Sequence, residues 1–185
     1  MIKLIYASDL NGLIGKGDKL PWNIPSELAF FFEMTKQGTL LFGLNTFKSL
    51  PSNFQKQDRK IILSLIGLNN TEEQLLNLKN QADLIIYTEQ EMLSLFLSFQ
   101  NSKENLFICG GKEIYTRYYF WADQIWLSLI KNTYQGDVYF DLLHQKIVQK
   151  ENKYQSCDDF DIYQYDASFD EEFIQKRAEF LSRKY

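Results

Sequence analysis

The chain has 185 residues, 45% of them hydrophobic, with a formal net charge of −4, two cysteines and one histidine; that length suits one domain, which buries about two-thirds of its unfolded surface. No stretch reaches the ~18 continuous apolar residues of a membrane span, no basic region with an apolar core and cleavage site opens the chain, and no long basic run offers a footprint for nucleic acid. A cytoplasmic protein is expected, with Cys109 and Cys157 as free thiols because neither has metal-ligand spacing, and with His144 too isolated for a histidine metal cluster or an obvious triad.

The first predicted element is an apolar strand over 2–7, followed by a turn-rich loop carrying Gly12, Gly15 and Gly17. Then comes the run Leu20-Pro21-Trp22-Asn23-Ile24-Pro25-Ser26-Glu27-Leu28-Ala29-Phe30-Phe31-Phe32. Pro25 suits the first helical position, where its missing N–H would go unpaired anyway and its fixed φ is already helical, so a helix is predicted over 25–36. Glu27 is the only ionisable residue of that run. In a first turn it can simply complement the positive end of the helix dipole. Flanked by Leu28 and Phe31 it can equally face a pocket, as an acid, a base or a clamp for a cation.

A second strand over 39–43 leads into Gly43-Leu44-Asn45-Thr46 and a helix over 44–50. Strands over 60–65, 84–87, 106–109, 125–131, 145–150 and 160–166 follow, with helices over 71–80, 89–100 and 112–120 between them, and no internal repeat, low-complexity tract or linker interrupts the series. This alternation predicts an α/β domain with a largely parallel sheet that ends in an antiparallel pair. Ligands of such sheets bind beyond the carboxyl ends of the strands, where Ala7, Gly43, Ser64 and Gly110 fall. Past the last strand, Phe169, Phe173, Ile174, Ala178, Phe180 and Leu181 recur at near-helical spacing. Asp170, Glu171 and Glu172 crowd the start of that segment and Arg183 and Lys184 its end, as a helix dipole favours. An amphipathic helix is predicted there, and its apolar stripe needs a partner: the outside of its own domain or a second copy of the chain.

In order and spacing, the glycine-bearing loop, the Leu20-to-Leu28 run, Gly43-Leu44-Asn45-Thr46 and Leu106-Phe107-Ile108-Cys109-Gly110-Gly111 resemble the dihydrofolate reductase family over residues 1 to about 166. The resemblance implies a dihydrofolate reductase-like α/β fold over 1–167, a central, mostly parallel eight-stranded sheet with an antiparallel C-terminal strand pair and flanking helices, plus a C-terminal helical extension over 168–185. It implies reduction of 7,8-dihydrofolate to tetrahydrofolate by hydride from NADPH, with NADH as the alternative, and binding of antifolate inhibitors. Glu27 would hold the pterin's amino group and ring nitrogen while the proton arrives through water, with Trp22 holding that water, Ser128 bonding the acid and the Tyr115 hydroxyl near the nicotinamide. Ile5, Tyr6, Ala7, Leu28, Phe31, Leu50, Phe54 and Cys109 would wall the folate pocket, whereas Phe30 and Phe32 read as core. The loop from Leu10 to Leu20 would be the mobile lid. Cofactor contacts would come from Ala7, Ile14, Gly15 and Leu20, from Gly43, Leu44, Asn45, Thr46 and Ser64, and from Cys109, Gly110, Gly111, Lys112, Glu113, Ile114 and Tyr115, with a cis peptide between the paired glycines.

The chain departs from the family at two places. The side chains that commonly grip the 2′-phosphate of NADPH are replaced by Leu44, Leu65 and Glu113, leaving Ser64 and the uncharged Asn45. The arginine that holds the substrate's glutamate tail aligns with Asp58, and a one-residue slip is needed to bring in Arg59, which with Lys60 also reads as a solvated basic pair. A monomer or a weak homodimer through the extension is expected. The alternatives are a reductase of another pterin or pyrimidine, and a non-catalytic or repurposed binding or assembly protein of the same fold.

Overall fold

Strand β1 (Ile2–Asp9) is buried along nearly its whole length, as a continuous apolar run should be when both faces of a parallel sheet are covered. In the computed structural model, which describes residues 1–51, 54, 59–69 and 71–183, it sits near the middle of an eight-stranded sheet. Asp58 and Lys184 lie outside the described residues. In chain order follow β2 (Leu13–Gly15), α1 (Pro25–Met34), β3 (Thr39–Gly43), α2 (Leu44–Lys48), β4 (Lys60–Ser64), α3 (Glu72–Lys79), β5 (Leu84–Ile86), α4 (Glu89–Gln100), β6 (Leu106–Ile108) and α5 (Lys112–Tyr118). A 3₁₀ turn (Tyr119–Trp121) leads to β7 (Gln124–Ile130), β8 (Val138–Tyr139), α6 (His144–Ile147), β9 (Lys153–Ser156), β10 (Phe160–Asp166) and α7 (Glu171–Ser182).

The sheet order is β5-β4-β3-β6-β1-β7-β10-β9; the first six strands are parallel, and β10 and β9 close the edge antiparallel. Because successive side chains alternate faces, β1 feeds two cores. Ile2, Leu4 and Tyr6 join Phe96, Tyr118, Trp121 and Phe140 on one face, and Ile5 joins Leu40, Phe42, Phe107 and Trp126 on the other. Helix α4 covers the first face with Met92, Leu95, Phe96 and Phe99, a helical stripe opened by a capping box between Thr88 and Glu91.

Two expectations need correction. The predicted strand over 145–150 does not form. Residues 144–147 make one helical turn packed inward by Leu143 and Ile147, and the Asn152 side chain donates to the Lys146 and Ile147 carbonyls at 3.3 and 3.0 Å, ending that turn. The edge strand is β9 instead, exposed at all four positions and therefore without the apolar alternation that would announce it. The second correction is an unpredicted two-stranded sheet: β2 pairs antiparallel with β8, outside the main sheet.

Helix α7 finds its partner in its own chain. Asp170 caps it by accepting the Glu172 and Phe173 N–H groups at 3.0 and 3.3 Å. Phe173 and Phe180, two turns apart, pack on Tyr119 and Trp121 with ring centroids at 5.3 and 5.9 Å. Between them Arg177 donates to the Phe120 and Ala122 carbonyls at 2.5 and 2.7 Å. Lys146 bridges Asp170 and Glu172, tying α6 to the start of the helix.

Candidate active site

Helix α1 starts as its sequence dictates, with Pro25 in the first turn and no side-chain cap on Ile24. Its only buried residue is Glu27. The helix roofs a cavity of about 300 Å³ bounded by β1 (Ile5, Tyr6, Ala7), the loop after β1 (Lys19, Leu20), Trp22, α1 (Glu27, Leu28, Phe31) and the segment from Thr46 to Pro51, with Cys109 and Tyr115 completing the wall. Burial raises the Glu27 carboxyl from 4.5 to about 7, against the opposing pull of a hydrogen bond from Ser128. Ser128 is delivered by register: on β7 it lies beside Ala7 of β1 and opposite Ile162 of β10. The Trp22 indole N–H is buried with no partner among the described residues, and the ring leans edge-on against Tyr134 at 5.7 Å.

Beyond the carboxyl ends of β3 and β6, which are neighbours in the sheet, Gly43 and the paired glycines meet. The Gly110–Gly111 peptide is cis, and the Gly43 N–H donates to the Gly110 carbonyl at 2.6 Å. A β-carbon on Gly110, whose φ is +102°, would stand 2.6 Å from the Tyr115 ring, and one on Gly111 would stand 2.6 Å from Thr46 Oγ1. Only bare backbone fits there. The Tyr115 hydroxyl donates to the Ile5 carbonyl at 3.0 Å. Burial pushes the Cys109 thiol well above its ordinary value, so it serves as a small apolar wall.

The loop after β1 is held in place from one side. Gly17 N–H donates to Asp137 Oδ1 at 2.8 Å, Asp137 N–H to the Gly15 carbonyl at 3.2 Å, and Phe140 N–H to the Gly12 carbonyl at 2.8 Å. A β-carbon on Gly136 would collide with the Gly15 oxygen at 2.4 Å, so this glycine sets how closely the two strands approach.

Most of the expected site residues do converge. Ile5, Tyr6, Ala7, Leu20, Trp22, Glu27, Leu28, Phe31, Thr46, Leu50, Cys109 and Tyr115 line the cavity, while Ser128 stands behind Glu27. Ile14 and Gly15 sit on β2 in the loop after β1, and Gly43, Gly110, Gly111 and Ile114 form the glycine cradle. Leu44 and Asn45 open α2, Lys112 and Glu113 open α5, and Ser64 ends β4, all outside the cavity. Leu65 is buried in the core, so that position presents no polar group outward. Phe54 does not wall the cavity as expected. Its ring packs on Phe32 and Phe42 and faces a neighbouring groove with Phe47 and Lys48. Phe30 packs on Trp126 and Phe160, as a core residue should.

Arg59 is not a solvated residue at a strand start. Its Nη2 donates to the Phe32 carbonyl at 2.6 Å and its Nε to Thr35 Oγ1 at 3.4 Å, and the guanidinium lies over the Phe32 and Phe54 rings at 5.8 and 5.7 Å. Sequence reasoning missed Asp9 altogether: this buried carboxylate accepts three backbone N–H groups, from Asn11, Leu13 and Tyr134. The available signal was a charged residue ending an otherwise apolar strand.

Comparison with known proteins gives a consistent result. The family model described as dihydrofolate reductase matches residues 1–171. A dihydrofolate reductase of Mycoplasma genitalium is 37% identical over 152 residues, 82% of this chain and 89% of that protein. One of Ureaplasma parvum is 34% identical over 139 residues, 75% of this chain and 81% of that protein. Among solved structures, a dihydrofolate reductase from Enterococcus faecalis complexed with NADP(H) and RAB-propyl matches with a TM-score of 0.68 at 25% identity, covering 90% of this chain and 95% of that one.

Proposed function

The chain belongs to the dihydrofolate reductase family, and on that premise we propose that it reduces 7,8-dihydrofolate to tetrahydrofolate at the cavity under α1. Enzymes of this family are NADPH-dependent oxidoreductases; NADPH, when bound, supplies the hydride. The observation that carries the reading is Glu27, the one carboxylate lining the cavity among the described residues, held where burial brings its pKa to about 7. Such a group exchanges a proton near neutral pH, and in its charged form it accepts hydrogen bonds from an amino group and a ring N–H side by side. Burying a carboxylate with no cation beside it costs stability, which a purely structural helix has no reason to bear. The unpartnered Trp22 N–H supports the same reading, as a donor suited to a water that relays the proton.

Gly43, Gly110, Gly111 and Thr46 would take the cofactor's pyrophosphate, since a β-carbon on either paired glycine would strike Tyr115 or Thr46 and so only backbone stands there to meet a ligand. Ala7, Ile14, Leu20 and Tyr115 would flank the nicotinamide. Arg59 would hold the substrate's glutamate tail: Thr35 and the Phe32 carbonyl orient its fork at the far end of α1. That geometry favours Arg59 over the aligned Asp58.

The test is to mix purified protein with dihydrofolate and either NADPH or NADH and follow the loss of nicotinamide absorbance. Consumption is expected with both cofactors, with an NADPH preference weakened by Leu44, Leu65 and Glu113. No consumption with either would overturn the reductase reading and leave a binding role.

A further inference from the structure

Asp9 closes β1 on the same face as Ile5 and Ala7, two residues beyond the cavity wall, with no exposed surface. Its Oδ1 accepts the N–H groups of Asn11 at 2.9 Å and Leu13 at 3.1 Å, while Oδ2 accepts that of Tyr134 at 3.1 Å. No salt bridge reaches it among the described residues. A buried carboxylate whose hydrogen bonds, among the described residues, all come from backbone donors is costly unless both oxygens are needed. Here they are. One oxygen fixes the root of the loop after β1, whose Leu13 is itself fully buried, and the other fixes the segment after β7. That segment presents the Tyr134 ring to Trp22, and the Trp22 indole N–H, like the Tyr6 hydroxyl, is a buried donor of a cavity-lining residue with no partner among the described residues. An asparagine in the same place could serve Oδ1's two donors, but its amide would then turn N–H groups toward the Tyr134 N–H.

We infer that Asp9 is a positioning residue: by gripping the lid root and Tyr134 at once, it fixes Trp22 over the reacting ring, so lid and proton route move together. The inference rests on the reductase reading for its consequence in turnover, and on the hydrogen bonds alone for the coupling to Trp22.

The experiment uses the full chain carrying Asp9→Asn. In single-turnover measurements at saturating NADPH and dihydrofolate, hydride transfer falls about tenfold or more, while the Kd for a trimethoprim-like diaminopyrimidine stays within about threefold. In an ¹⁵N–¹H correlation spectrum, the Trp22 indole signal, assigned with Trp22→Phe, shifts and broadens, whereas those of Trp121 and Trp126 hold still. Tyr134→Ala keeps the backbone donor and removes the ring; it lowers hydride transfer similarly, and the double variant falls no further than either single change. An unmoved Trp22 signal in Asp9→Asn overturns the inference, as does a rate loss matched by equal loss of inhibitor affinity, which would mark general unfolding. Should Asp9→Asn not fold, Tyr134→Ala decides alone, and a hydride-transfer rate within about twofold of wild type overturns the inference. If the wild type transfers no hydride, the reductase reading has failed, and the Trp22 signal still decides the coupling.

Discussion

Helices α1 and α7 make opposite use of burial. The apolar helix, α1, with three consecutive phenylalanines, buries one residue, and it is the carboxylate Glu27; the charged helix, α7, buries two, and both are phenylalanines. The difference follows from what lies underneath. Helix α7 rests on a filled core of aromatic rings, so its apolar side chains find close-packed partners. Helix α1 roofs a cavity, so Leu28 and Phe31 are only half covered, and the residue drawn deepest is the carboxylate to which we assign the chemistry. An apolar helix left half-bare over a buried acid is a signature of a site; a polar helix with two sunken rings is a signature of scaffold.

The largest expected effect tests the first half of that contrast. Glu27→Gln keeps shape and loses the ionisable group, and turnover of dihydrofolate near neutral pH falls on the order of 10² to 10⁴, measured by steady-state kinetics beside a circular dichroism check of folding. Activity within about twofold of wild type would break the contrast. Phe180→Ala tests the second half. Removing a buried ring costs about 3–5 kcal/mol of stability in urea unfolding, with cofactor and folate affinities unchanged below the transition. A chain ended at Ala167 behaves the same way in stronger form; lost cofactor binding in a folded, shortened chain would mean that α7 completes the site.

The same Glu27→Gln chain should differ from wild type in stability as pH changes. Glu27 holds its proton more tightly folded, at about 7, than unfolded, at 4.5, so its contribution is fully present below about pH 4.5 and is lost as pH rises through 7. At pH 8 the glutamine chain is therefore the more stable by up to about 3 kcal/mol, and the gap closes below pH 5; equal stability at both pH values would show that the carboxylate is not desolvated. A smaller effect sharpens the picture at the other end of α1. Arg59→Ala weakens methotrexate, which bears a glutamate tail, by about 1.5–3 kcal/mol and leaves a trimethoprim-like compound unaffected in titrations. Equal weakening of both would make Arg59 a strut for α1 alone.

The parallel sheet, its order of strands and helices, and the Glu27 cavity were legible because they rest on long apolar runs and on one unusual acid. What stayed hidden was decided by contacts distant in sequence. Ile147 looked like part of a strand until Leu143 and Asn152 closed a helical turn around it. The small sheet pairs the three residues of β2 with the two of β8 across more than a hundred positions, too few for any pattern to register. Asp9 and Tyr134 become partners only after β1 and β7 lie side by side. Arg59 stands one residue past the aligned Asp58, and only its bonds to Thr35 and to the end of α1 show where it points.

The sheet order also sets a timetable for synthesis. Strand β1 is made first and lies between β6 and β7, which are among the later strands made. A ribosome adding 5–20 residues per second takes roughly ten seconds to travel from Asp9 to Ile130. Throughout that interval Ile2, Leu4 and Ile5, almost wholly enclosed in the finished protein, lack at least one of the two strands that β1 pairs with. The strand at the middle of the sheet is thus made before every other strand of that sheet and is one of the last to be sheltered.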